Sequence, residues 1–390
     1  MPEPILETRH LTFGYSKKAL ALDDVSISIP AGKKIAVLGA NGSGKSTLFL
    51  HFNGVLRPRQ GEVMYDGKVI EYHSRTLAKL REEVSVVMQN PDDQIFSATV
   101  EEDVAFGPMN LDLTKDEVIR RVDEALFMVD LEKLRERPTQ QLSFGQRKRV
   151  ALAGALAMKP KVLMMDEPTA GLDSRMVHEL MELAEELNRN GLTVIMSTHD
   201  VEIAYNWADE VRALDAGKLV FSGLPERLFS DEKRVHDLGL TTPMLFEMNA
   251  RLRALRGTPA EPYPRTMEEM MQKMFPRIGP SGRVSLVAVG ADYLTKKFAV
   301  AAPKREPPGA KVGVYGTLAR RFVREAQLPV DCIFNALERC IGEASQGRDF
   351  ILYVDEALIP LVEERIADLA HDFGLSIPVF QALERDGDPL

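Results

Sequence analysis

The stretch GANGSGKST, Gly39 to Thr47, concentrates residue types that hold phosphate. Gly39, Gly44, Lys45 and Ser46 fall at the spacing G-x-x-x-x-G-K-[ST]. Glycines let the backbone wrap a phosphate chain, the Lys45 ammonium reaches the β- and γ-phosphates as a point charge, and the Ser46 hydroxyl is a Mg²⁺ ligand. The flanks suit that mechanism: KKIAVLG (Lys33–Gly39) reads as a short buried strand and GKSTLFLHFNG as a helix. A Gly-rich turn without a ligand is the competing reading.

Two carboxylates, Asp166 and Glu167, end the apolar run VLMMDEP. Asp166 is expected to hold Mg²⁺, directly or through water, and Glu167 to polarise an attacking water. The alternative is a pair of charges capping the next loop. His199 ends a third apolar run, LTVIMSTH. A lone histidine at a strand end usually packs or faces solvent. In a nucleotide-binding sheet the carboxyl ends of the strands lie beside the ligand, so His199 is expected near the γ-phosphate. The other histidines (His10, His51, His73, His178, His236, His371) form no i, i+3 or i, i+4 pair and read as structural or exposed.

A second anion site is written in LSFGQRKRV (Leu142–Val150). Ser143, Gly145 and Gln146 precede a helical run, and a helix start offers unpaired N–H groups and about half a positive charge. This is one anion site more than a single nucleotide needs.

The elements that must position these residues follow from local pattern. Short alternating strands fill residues 4–30, EVMYDGKVI is a hairpin with an Asp66-Gly67 turn, and VRALDAGKLVFSG is another hairpin. Helices are expected at Thr114–Asp130, Glu132–Arg137, Gln146–Met158 and Ser174–Asn190, the last closed by Gly191. Strands alternating with helices imply an α/β fold with a largely parallel sheet. Glu226–Arg256 reads as helical and charged, and the Pro/Gly-rich Phe275–Arg283 as a linker. Beyond it, VSLVAVG, KVGVYG, FILYVDE and IPVFQAL are strands, with helices around Thr317–Glu325, Phe334–Glu343 and Leu361–Phe373. The expected organisation is a nucleotide-binding domain over residues 1–240, a helical tail and linker over 241–282, and a small α/β domain over 283–390. In that last part GVYGT (Gly313–Thr317) is a strand–Gly–helix turn able to hold an anion, and Asp355 and Glu356 read as packing or capping charges.

With 390 residues, 45% apolar and 27% charged, the chain has the composition of ordinary globular domains. A net charge of −9 argues against a nucleic-acid partner, which needs clustered Lys and Arg. Cys332 and Cys340 show no metal spacing and read as reduced thiols. The start lacks a signal-peptide pattern, and no apolar run reaches the ~18 residues of a membrane span, so a cytoplasmic protein is expected.

Gly39–Thr47, Gln89, LSFGQ, LMMDE, AGLD and His199 together resemble the ordered motifs of the ATPase subunit of ABC transporters, over about residues 4–275. The resemblance implies an ABC-type P-loop domain with an antiparallel β subdomain and a helical subdomain, using ATP and Mg²⁺. It implies that Tyr15 stacks on adenine and that Asn41, Gly42, Ser43 and Thr47 join Gly39, Gly44, Lys45 and Ser46 around the nucleotide. Glu167, His199 and Gln89 would be catalytic, with Gln89 also sensing the Mg²⁺ held by Ser46 and Asp166. Ser143, Gly145 and Gln146 would face the ATP held by a second copy, and Asp173 would reach across to it. That would account for the extra anion site. Phe144 stands where the family's commonest signature has glycine, and no loss of ATP binding is expected from it.

The stretch after Gln89, NPDDQIFSATVEEDVAFGPMNLDL, with LSFGQRKRVALAGALAM, SGLPERLFS and YPRTMEEMM, resembles energy-coupling-factor importers, nearest to cobalt or nickel ATPase subunits. This implies a second ATPase subunit (the same chain or a paralogue), a transmembrane coupling protein and a separate substrate-binding membrane protein as partners. It places the chain peripherally on the cytoplasmic face of the membrane. The alternatives are a vitamin importer of the same type, an ABC-type ATPase acting on DNA or ribosomes, or an ATP-binding regulator with negligible turnover.

Overall fold

The computed structural model describes residues 4–17, 19–276, 279–290 and 309–381. The expected linker therefore falls partly, at residues 277–278, outside the described residues. The chain divides into two units, Met1–Val177 with Gly191–Pro243, and His178–Asn190 with Met244–Leu390.

The first unit opens with β1 (Pro4–Phe13), β2 (Leu22–Pro30), β3 (Lys34–Leu38), α1 (Lys45–Phe52), β4 (Gln60–Tyr65), β5 (Lys68–Val69), α2 (Ser74–Glu83) and β6 (Val84–Val87). There follow α3 (Val100–Met109), α4 (Lys115–Met128), α5 (Phe144–Ala157), β7 (Val162–Asp166), α6 (Ser174–Arg189), β8 (Thr193–Thr198) and α7 (Val201–Trp207). β9 (Glu210–Asp215), β10 (Lys218–Gly223), α8 (Pro225–Phe229) and α9 (Glu232–Asp237) close it.

Burial pattern separates its two sheets. β2 alternates buried and exposed positions, as expected where one sheet face meets water, and it belongs to an antiparallel sheet of order β2-β1-β4-β5. β7 and β8 are buried at every position. They lie in the interior of a six-stranded sheet of order β10-β9-β3-β8-β7-β6, parallel except for β10. Continuous apolar runs mark strands covered on both faces. β8 sits between β3 and β7, so the phosphate loop after β3, the carboxylates after β7 and His199 after β8 leave the same edge of adjacent strands. The third component is helical: α3, α4 and α5 pack on one another. These parts make up the expected α/β architecture, with its antiparallel sheet and helical portion.

Two helix expectations change. Glu132–Arg137 is reduced to a single 3₁₀ turn, Glu132–Leu134, and Pro138 disfavours helical geometry at Arg137, the last residue of the expected helix. Glu226–Arg256 is three helices, α8, α9 and α10 (Met244–Arg256), parted at Ser230–Asp231, where Asp231 caps α9, and over Gly239–Pro243, where Gly239 takes φ 63°.

The second unit takes α6 from His178 onward, then α10, α11 (Met267–Met274), β11 (Val284–Val289), β12 (Lys311–Tyr315), α12 (Thr317–Glu325), α13 (Ala336–Ser345), β13 (Phe350–Asp355), α14 (Ile359–Phe373) and β14 (Val379–Gln381). Its sheet is parallel throughout, order β12-β13-β11-β14. α13 and α14 bury Leu337, Ile341, Val362 and Ile366 in one cluster, while α12 buries Phe322 and Val323 in another. Cys332 and Cys340 are free and buried.

The expected anion cradle at GVYGT is already filled. Asp355, at the end of β13, accepts from the Leu318 N–H (3.0 Å) and the Ala319 N–H (2.6 Å) at the start of α12. A carboxylate there repels a second anion. Around it lies a network of acids. Glu182 accepts from the Asn335 N–H (3.1 Å) and pairs with Arg320 (2.8 Å), and Glu186 accepts from the Thr317 hydroxyl (3.1 Å). Arg365 pairs with Glu269 (3.0 Å) and lies 3.7 Å from Glu338. Among the described residues, no helix is long and apolar enough to cross a membrane, and no group of His, Cys, Asp and Glu is arranged to hold a metal ion.

Candidate nucleotide site

Past Leu38 the chain turns with Gly39 at φ 156°, Gly42 at 81° and Gly44 at 106°. A Cβ on Gly39 would lie 2.4 Å from the Leu214 carbonyl oxygen, and one on Gly44 would lie 2.7 Å from that of Ala21. Glycine is therefore required by contact as well as by torsion. Gly39→Ala is expected to weaken ATP binding at least about tenfold, a change of ~1.4 kcal/mol. Titration with a fluorescent ATP analogue checks this, and an affinity within twofold of the parent would mean that the loop relaxes around the methyl group.

Lys45 is buried. Its ammonium donates to the carbonyls of Gly39 (2.7 Å) and Ala40 (3.2 Å) and lies 3.5 Å from Glu167 Oε1. Two buried polar atoms here, Ser43 Oγ and Glu167 Oε1, have no hydrogen-bond partner among the described residues. Buried polar atoms are ordinarily satisfied, so these two fit a polar ligand. The Tyr15 hydroxyl is 3.3 Å from Thr47 Oγ1, and the Tyr15 ring is mostly exposed, an apolar face beside the loop.

Glu167 adopts φ 44°, a left-handed conformation that strains a residue with a Cβ by about 1–2 kcal/mol. Several anchors hold it. Its N–H is shared between the Ser197 carbonyl (3.2 Å) and hydroxyl (3.0 Å), and the Ser197 hydroxyl also donates to Asp166 Oδ1. Glu167 Oε2 meets His199 Nδ1 at 2.9 Å. The two carboxylates are each 4% exposed, whereas the His199 side chain is largely open to solvent. A buried carboxylate, a cation and an accessible imidazole thus meet at one strand edge. Gln89 lies exposed just past β6, the strand beside β7.

The remaining expected residues form a second group. Ser143 is the N-cap of α5, in a capping box: its N–H donates to Gln146 Oε1 (2.9 Å) and its hydroxyl accepts from the Gln146 N–H (3.3 Å). A Cβ on Gly145 would lie 2.4 Å from Met176 Sδ, and Asp173 accepts from the Met176 N–H at 2.8 Å. Among the described residues, Ser143, Gly145 and Gln146 make no hydrogen bond to Gly39–Thr47 of their own chain.

Two residues of this region escape sequence reasoning. Ser197 reads as one more strand residue, although its place opposite Asp166 in the β7–β8 register was the available signal. Lys148 reads as surface charge but is buried, with its ammonium among backbone carbonyls, and burial pulls it down to about 8 against the opposing pull of Glu167 and Asp166.

A phosphate loop, a strand-end acid pair, a strand-end histidine and a capped signature helix define an ABC transporter ATPase, an ATP-hydrolysing subunit. The ABC transporter family profile matches residues 22–170. The energy-coupling factor transporter ATP-binding protein EcfA2 of Methanospirillum hungatei is 38% identical over 97% of this chain and 96% of its own length. EcfA of Methanocaldococcus jannaschii is 46% identical, over 66% of this chain and 92% of its own. Among solved structures, cbiO1 from Clostridium perfringens, part of the ABC transporter complex cbiONQ, is 42% identical over 65% of this chain and 97% of its own, with a TM-score of 0.55. An ATP-binding cassette solved as a dimer with ADP and Pi is 29% identical over 56% of this chain and 98% of its own, with a TM-score of 0.52. This chain belongs to the energy-coupling factor transporter ATP-binding proteins.

Proposed function

We propose that this chain powers an energy-coupling-factor importer, for cobalt or nickel ions, from the cytoplasmic face of the membrane. The observation that carries the catalytic part is the meeting of Lys45, Glu167 and His199 at the carboxyl edge of β3, β7 and β8. Glu167 draws a proton from the attacking water, and Lys45 and His199 balance charge on the γ-phosphate. Ser46, Asp166 and Gln89 would hold Mg²⁺, which neutralises charge on the phosphates when bound. Asn41, Gly42, Ser43, Gly44 and Thr47 line the phosphate chain with Gly39, and Tyr15 stacks on the base. Ser143, Gly145 and Gln146 receive the γ-phosphate bound by a second copy or paralogue, with Asp173 reaching toward it.

The dimer reading is supported by the capped start of α5, an anion site its own phosphate loop does not use. The transport reading is supported by the likeness to cbiO1, which is described as part of a transporter complex. A membrane coupling protein and a substrate-binding membrane protein complete the importer, so cargo choice lies outside this chain. The test is co-expression with those membrane partners, reconstitution in vesicles, and ATP-driven uptake of labelled Co²⁺ and Ni²⁺. Uptake above background that vanishes in Glu167→Gln is the expected result. A complex that assembles and hydrolyses ATP without moving either ion would reassign the cargo to vitamins.

A further inference from the structure

The side chain of Lys148 leaves α5 for the loop that follows β7. Its ammonium donates to the carbonyls of Glu167 (3.2 Å), Pro168 (2.9 Å) and Ala170 (2.7 Å). An ammonium has three protons, and these three acceptors match them one for one. The residue is 7% exposed. One turn earlier on α5, the Phe144 ring lies 5.5 Å from the same ammonium and presses on Gly171, where a Cβ would come within 2.8 Å of it. The turn from Glu167 to Gly171 is thus gripped by α5 through one cation and one ring.

An apolar residue of similar length would fill the same space. It would not draw three carbonyls of a tight turn toward one point, where their dipoles otherwise repel. Glu167 needs such a grip, because its left-handed torsion is one that its side chain disfavours. The Ser197 contacts hold the Glu167 N–H, and Lys148 holds its carbonyl.

We propose that Lys148 is a positioning residue for ATP hydrolysis: its ammonium gathers the Glu167, Pro168 and Ala170 carbonyls and fixes the Glu167 backbone so that its carboxylate faces Lys45 and His199. The proposal rests on the reading of Glu167 as the base. Phe144, which replaces the family's commoner glycine, closes the open side of the cation.

The test compares Lys148→Met, Lys148→Arg, Glu167→Gln and the Lys148→Met/Glu167→Gln double variant in the full chain, by single-turnover hydrolysis and ATP affinity. Lys148→Met is expected to lower the rate at saturating ATP by about 10–100-fold, the scale of a small misplacement of a reacting group, with ATP affinity within about threefold. Lys148→Arg restores most of that loss. In the Glu167→Gln background the Met substitution lowers the rate no further, because no carboxylate is left to aim. Where Lys148→Met does not fold, Lys148→Gln, which keeps two donors, carries the same comparison. A parental rate in Lys148→Met, a loss that appears only as weaker ATP binding, or losses that multiply in the double variant would each overturn the proposal. An active Glu167→Gln would instead remove the base assignment. An inactive Glu167→Gln beside a fully active Lys148→Met would remove the positioning role alone.

Discussion

Glu167→Gln lowers steady-state ATP hydrolysis by about 10²–10⁴-fold while ATP affinity stays within about threefold. The amide keeps the volume of the carboxylate and its place 2.9 Å from His199, so the strand edge need not move. What it loses is the ability to take a proton from water. It also loses the negative charge 3.5 Å from the Lys45 ammonium, so Lys45 is less restrained by the acid when a phosphate approaches. Binding is therefore expected to hold, or to tighten slightly, as hydrolysis fails. With ATP retained, two copies should remain together, and size exclusion with ATP and Mg²⁺ should report a larger species than in the parent. Phosphate release measured at saturating ATP decides the first point, and a rate within tenfold of the parent would rule Glu167 out as the base.

The second unit becomes less stable as pH rises from about 5 to 8. Burial lifts both Glu186 and Glu338 from the ordinary value near 4.5 to about 7. Glu186 faces Asp355 at the end of β13, with Thr317 and Arg320 of α12; Glu338 faces Arg365 of α14 and Glu268 and Glu269 of α11. Arginine holds each acid down, but burial and the neighbouring carboxylates outweigh it. A carboxyl whose folded value is raised contributes stability that is complete below its unfolded value and is lost as pH climbs through the folded one. Both groups are partly reached by solvent, so each contributes on the order of 2 kcal/mol between those limits. Glu343 and Asp349, held below the ordinary range by Arg348, Lys311 and Arg283, are ionised throughout this window and do not offset the trend. Hydrogen exchange of the β13 amides, corrected for intrinsic rate, should show protection at least about tenfold weaker at pH 8 than at pH 5.5. Glu186→Gln/Glu338→Gln should flatten the dependence. Equal protection at both pH values would show that solvent keeps both acids ionised.

What was legible in the sequence was what is local in the chain. The phosphate loop is one short stretch with a strand before it and a helix after it, so spacing alone located Gly39, Gly44, Lys45 and Ser46. The mainly apolar runs before Asp166 and His199 marked central strands, and parallel neighbours bring their ends together. Lys148 was not legible, because its partners are backbone carbonyls on another element, and a carbonyl leaves no trace in residue type. The cradle at Gly313–Thr317 looked open because its occupant, Asp355, arrives on the next strand of the sheet. The acids of the second unit come from α6, α11, α13 and β13, so no window of sequence holds them together. The helices within Glu226–Arg256 share one charged composition, and the short stretch Gly239–Pro243 that separates α9 from α10 is easily passed over between them.

The cap on α5 also sets a direction. The Ser143 hydroxyl oxygen already accepts the Gln146 backbone N–H, and the Gln146 side-chain Oε1 already accepts the Ser143 backbone N–H. What each side chain has left to offer is chiefly hydrogen: one O–H from the serine and two N–H from the amide. The first backbone N–H groups of the helix point the same way. The edge therefore works as a chemical rectifier. A group rich in lone pairs, such as a terminal phosphate, would find more donors than acceptors there, whereas an ammonium would find few acceptors left.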